Sequence, residues 1–172
     1  MSEEAARALL AERGARDVPH PGGTLAVHLD RVNALLADWG AGPALRLAGL
    51  CHAFYGTDGF PRTLGGLDQR DVLAAAIGHD AEAIVRFYAG VDRAFSYPRL
   101  LDGTVRDRFT GEVLHPPHAL RCDFAELTAA NEIDVLRHDA DLRTRHGAAL
   151  RELFTAWFPL LSPQAQAAVR EM

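Results

Sequence analysis

The pattern of apolar residues predicts an all-α fold: one helical bundle, with one small β-hairpin insertion. Two observations lead there. Apolar residues recur at three-to-four spacing through most of the chain, the period of a helix with one buried face. Only one stretch, Thr104 to Leu114, alternates instead, and it carries Thr110-Gly111 where a hairpin would turn. At 172 residues the chain is read as a single domain, 1–172, long enough for a real core.

The elements follow in order. Residues 2–13 read as an amphipathic helix with Ala6, Leu9 and Leu10 on one face, ended by Gly14. Pro19-His20-Pro21-Gly22-Gly23 is loop. Thr24 caps a helix to about Trp39, whose inward positions are Leu25, His28, Leu29, Val32, Leu35, Leu36 and Trp39. After Gly40-Ala41-Gly42-Pro43 a nearly all-apolar run, Ala44 to Thr57, predicts a buried helix with His52 near its end. Helices are then expected over 68–77 and 80–90, with Ala81, Ile84, Val85 and Tyr88 inward. Asp80 sits where a capping residue belongs. The alternating insertion follows, closed by His115-Pro116-Pro117. A long helix spans His118 to His138, another about 140–157, and a short one follows Ser162-Pro163.

Composition narrows the function. A net charge of −5 argues against a nucleic-acid binder. No run of about 18 apolar residues exists, so no membrane span is expected. Met1-Ser2-Glu3-Glu4 lacks the basic-then-apolar layout of a signal peptide, which points to the cytoplasm. The two cysteines, Cys51 and Cys122, fall in predicted helices and read as buried free thiols. There is no lysine, which removes Schiff-base chemistry on a lysine and any Walker-type phosphate loop.

The short break at 40–43 implies that the two helices flanking it are antiparallel. At a rise of about 1.5 Å per residue, His28 lies roughly 18 Å before Gly40 and His52 roughly 13 Å after Pro43. The two histidines then sit within about one turn of level, both facing the interior. A buried histidine needs a partner. Tyr55, three residues after His52, is expected on the same side of the helix.

These residues carry a resemblance. His28-Leu29-Asp30-Arg31-Val32, the apolar run into His52-Ala53-Phe54-Tyr55-Gly56-Thr57, Ile77-Gly78-His79-Asp80 and Leu127-Thr128-Ala129-Ala130-Asn131 are similar, in order, to segments of the HD-domain superfamily of metal-dependent hydrolases. The (p)ppGpp-hydrolase branch is the nearest pattern. The chain also resembles an uncharacterised bacterial family with a His-x-x-Tyr-Gly-Thr signature. The superfamily resemblance implies an HD-like helical bundle and a metal site at His28, His52 and Asn131, holding one divalent ion (Mn, Fe, Zn or Co). It implies hydrolysis of a phosphorylated small molecule by a metal-activated water. Ala53 replaces the aspartate of the His-Asp dyad, Asn131 stands at the last ligand position, and Tyr55-Gly56 replaces an acidic pair. Asp134, one turn beyond Asn131, and Asp92 are candidates to supply the missing charge.

The candidate catalytic residues are thus His52, Tyr55 and Asp134; His20, Tyr55, Asp92 and Arg93 are candidates for binding a small-molecule substrate. Three readings stay open: a metal-dependent (phospho)hydrolase, a metal-independent acid–base enzyme such as a lyase, isomerase or cyclase, and a non-catalytic metabolite-binding module. The oligomeric state is left open.

Overall fold

A computed structural model describes residues 1–172. It shows an all-α fold with two small antiparallel hairpins. The helices are α1 (Glu3–Glu12), α2 (Leu25–Asp38), α3 (Pro43–Cys51), α4 (Arg70–Ile77), α5 (His79–Gly90), α6 (Arg93–Ser96), α7 (His118–His138), α8 (Ala140–Ala156) and α9 (Pro163–Arg170). Strands β1 (Pro19–His20) and β2 (Gly23–Thr24) form one hairpin, and β3 (Val105–Arg106) and β4 (Val113–Leu114) the other. No helix is long and apolar enough to cross a membrane.

The bundle is built around α2, α3 and α7. Helix α3 packs on α2 and α5, and α7 crosses α2, α3 and α5 before α8 and α9 fold back over it. Gly49 makes the α2–α3 approach possible: a Cβ there would collide with Leu36. Leu25, Leu29, Val32 and Leu36 of α2 are buried as the spacing predicts, and His28 lies among them. Ser2 and Thr24 cap α1 and α2 by accepting from Ala5 N and Val27 N. Pro43 occupies the first turn of α3, where its missing N–H costs nothing.

Four expectations are corrected. The apolar run does not stay helical to Thr57: α3 ends at Cys51, His52 is its C-cap, and 52–55 form a turn that closes at Gly56, whose φ is 71°. A side chain at Gly56 would press on the backbone of Phe60 and Pro61, so the chain reverses there by means of a glycine. Asp80 does not cap α5. The helix begins at His79 after Gly78, and both His79 and Asp80 are exposed. Cys51 is buried, but Cys122 is only half-buried and faces His118 one turn earlier (Sγ–Nδ1 3.5 Å). The loop at 19–24 is itself a hairpin, turned by Pro21-Gly22, where Gly22 takes the positive φ (77°) that such a turn needs at its second position.

The insertion expected at 104–114 is present. It is pinned to the end of α5 by hydrogen bonds from Arg108 N to the Gly90 carbonyl and from Asp92 N to the Arg106 carbonyl.

Candidate functional site

The close approach of α2 and α3 brings His28 and His52 together, ring centroids 5.3 Å apart and edge to face. The β1–β2 hairpin lays His20 flat on the other side of His28, at 4.0 Å between centroids. Tyr88 of α5 meets His52 edge-on at 5.5 Å. The histidine pair foreseen from the helix lengths is therefore a row of three imidazoles ending on a tyrosine.

The two central histidines differ in their partners. His28 is 1% exposed. Its Nδ1–H donates to Asp134 Oδ2 (2.6 Å), and its Nε2 is hydrogen-bonded to Asn131 Oδ1 (3.0 Å). Asn131 is oriented in turn by donating from Nδ2 to Glu132 (3.2 Å). Asp134 also accepts a two-pronged contact from Arg31, whose Nη atoms reach the carbonyls of Pro21 and Gly22. Burial pushes the Asp134 carboxyl up, but the hydrogen bonds from His28 and Arg31 outweigh it and hold it at about 2. Arg31 and Asp134 thus tie the turn that carries His20 to α2 and α7. Neither this role of Arg31 nor the hairpin was read from the sequence, though Arg31 lies three residues after His28, on the same helix face.

His52 is left free on one side. Its Nδ1 lies 2.7 Å from the Gly49 carbonyl, which can only accept, so Nδ1 carries the proton. Nε2 keeps its lone pair and has no protein partner. Burial, and then repulsion from His28, lower its pKa to about 3. His20 is lowered to about 4 for the same two reasons, and its buried Nδ1 is unpartnered.

A cavity of about 280 Å³ opens at this free face. His20, His52, Thr57, Arg93, Asn131 and Glu132 provide its polar wall, with Leu25, Phe60, Val135 and Leu142 among the apolar ones. Arg93 stands over the Tyr88 ring at 5.9 Å. Its partners are distant: Glu132 at 3.3 Å and the Tyr88 hydroxyl at 3.5 Å. Burial lowers the Arg93 pKa, but Tyr88, Tyr97, Glu132 and Asp58 outweigh it and raise the value overall.

Residues 9–93 match the family model described as Domain of unknown function (DUF6817). The matched stretch runs from within α1 to the start of α6, so it holds His20, His28, His52 and Arg93 but not Asn131, Glu132 or Asp134. No curated protein and no solved structure matches the chain.

Several candidates lie elsewhere than expected. Tyr55 does not share a face with His52, because the helix has ended before it. The turn aims Tyr55 at α5, where its hydroxyl donates to Glu82 Oε1 (2.9 Å). Arg70 clamps the same carboxylate at 2.8 and 2.7 Å. Asp92 caps α6, accepting from Phe95 N, and pairs with Arg106 at 3.5 Å. Asp134 lies behind His28 and does not line the cavity. His20, His52, Arg93 and Asn131 do line it. Glu132 and Thr57 join them without having been singled out, although Thr57 stood inside one quoted motif and Glu132 directly follows another.

The residues do not fit the metal centre that the resemblance implies. A divalent ion needs converging lone pairs and anionic oxygen to offset its charge. His28 has both ring nitrogens engaged, by Asp134 and by Asn131. Ala53 offers no donor, and the carboxylates of Asp134 and Glu132 are held by Arg31 and Arg93. No three histidine, cysteine, aspartate or glutamate side chains are grouped to hold an ion.

Proposed function

We propose that the protein is a metal-independent acid–base enzyme acting on a small molecule, with His52 as the proton acceptor. The observation that carries this reading is the state of His52. It is a buried, neutral imidazole with its tautomer fixed by the Gly49 carbonyl and a bare Nε2 on the wall of a cavity. A general base must present an unprotonated atom within reach of substrate, and an imidazole held in one tautomer does so without rearrangement. Burial makes that nitrogen a reluctant base in the free protein. An anionic substrate beside it would favour its protonated form and raise its pKa toward the working range. Asn131 and Thr57 share the wall and offer hydrogen bonds to orient a polar substrate. His28, Asp134 and Arg31 hold the wall in place and take no part in proton transfer.

The reading is tested by proton NMR in D₂O. The protein is incubated with a panel of small carboxylic acids and keto acids, and loss of carbon-bound proton signals is followed. Deuterium incorporation that is abolished in His52→Gln supports the assignment. Exchange that persists in His52→Gln contradicts it. Binding of panel members without exchange would favour the non-catalytic binding module.

A further inference from the structure

The cavity beside His52 has a neighbour. A second hollow of about 330 Å³ lies between α7 and α8, and the two share Arg93, Glu132, Val135 and Leu142 as a common wall. The linings differ in kind. The first is rich in polar side chains, whereas the second is formed mainly by Val135, Leu136, Leu142, Leu150 and Leu153. Two polar groups here have incomplete bonding, Arg93 at the shared wall and Tyr97 in the lining of the second hollow alone. Arg93 meets its partners only at 3.3 and 3.5 Å. The Tyr97 hydroxyl, in the lining of the second hollow, is sealed from solvent and has no hydrogen-bond partner. A buried polar group without a partner is costly, and a native site that tolerates one commonly fills it with a ligand or an ordered water.

We infer that the two hollows form one binding site for a carboxylate with an apolar tail. The carboxylate is met by Arg93 at the shared wall and by the Tyr97 hydroxyl from the side of the second hollow, and the hydrocarbon lies between α7 and α8. The carboxylate, held at the wall common to both hollows, then faces the His52 cavity. Charge disfavours a dianion: Arg93 is the one fixed cation of the two linings and Glu132 stands 3.3 Å from it, so a phosphate dianion would have no second cation to meet. Glu132 keeps a second donor in Asn131 Nδ2, which holds it when Arg93 turns to the ligand. The inference rests on the acid–base reading for its purpose and names the substrate class that reading lacks.

The test is calorimetric titration of the whole chain with acetate, butanoate, hexanoate and octanoate, and with the matching alkyl phosphates. Affinity is expected to rise about fourfold for each methylene that enters the apolar hollow. Ala149 lines that hollow but is exposed on α8, so Ala149→Trp fills it without cutting into the core. In that variant the rise with chain length should flatten while the shortest acids bind as before. An affinity independent of length, a rise unchanged in Ala149→Trp, stronger binding of the phosphates, or no binding of any alkanoate would overturn the inference. The length series and the deuterium exchange fail separately. A length-dependent affinity without exchange keeps the ligand class and removes the acid–base reading, and exchange without length dependence does the reverse.

Discussion

His28 and His52 sit 5.3 Å apart in one core, yet they belong to different kinds of structure. His28, Asp134 and Arg31 have each found partners for their polar groups, and the cluster they form spans α2, α7 and the turn of the first hairpin. Around His52 and Arg93 the bonding is incomplete: a bare nitrogen and a long ion pair stand at the cavity, and the orphan Tyr97 hydroxyl lies buried in the neighbouring lining. The difference teaches which polar residues are spent on the fold and which keep bonding capacity. A saturated buried network rigidifies the fold, while unsatisfied groups gathered at a cavity are tolerated only where something else completes them. By that measure Asp134 is architecture, although its place near the motif residues made it a candidate for chemistry.

The sharpest way to break this contrast is to remove the centre of the saturated cluster. Asp134→Ala leaves His28 and Arg31 without their shared carboxylate. Breaking a buried ion pair from one side costs about 3–5 kcal/mol, read as a fall in unfolding free energy by urea titration. A loss under 1 kcal/mol would show that the cluster is not structural.

The same contrast appears in acid. Asp134 titrates at about 2 when folded, against 3.8 as its ordinary value. As pH falls the unfolded carboxyl takes up its proton first, so about 2 kcal/mol of stability, present above pH 4, is lost on the way to pH 2. His52 acts at higher pH. Unfolded histidine is protonated below about 6.5, whereas buried His52 resists until about 3. Stability is therefore full above pH 6.5 and falls by up to about 1.4 kcal/mol per pH unit from there toward 3. His52→Gln should flatten that upper limb and Asp134→Ala the lower one, both seen in urea midpoints measured from pH 7 to 2.

The smallest effect is expected at Tyr55. Its hydroxyl gives one hydrogen bond to a Glu82 that Arg70 also holds. Tyr55→Phe should cost about 0.5–1.5 kcal/mol and leave alkanoate binding untouched. A loss of binding would place Tyr55 in the site after all.

What was legible in the sequence was what repeats. The helices and the 104–114 hairpin follow from apolar spacing, and two helix lengths with a four-residue break were enough to put His28 beside His52. What was hidden depended on a single bend. The end of α3 at Cys51 rests on Gly56 accepting a positive φ five residues later, and it decides that Tyr55 turns toward Glu82 and away from His52. Arg93 was a candidate from the sequence, but Glu132 comes to it from α7. A contact that distant in sequence leaves no periodic trace in a single chain.

The central claim is that His52 is a neutral imidazole with a bare Nε2. Long-range ¹H–¹⁵N correlation spectra of the histidine side chains, followed from pH 8 to 4, test it most directly. The account predicts an Nδ1–H tautomer for His52 that stays unprotonated down to pH 4. A His52 ring that carries its proton on Nε2, or that titrates near 6.5, would contradict it.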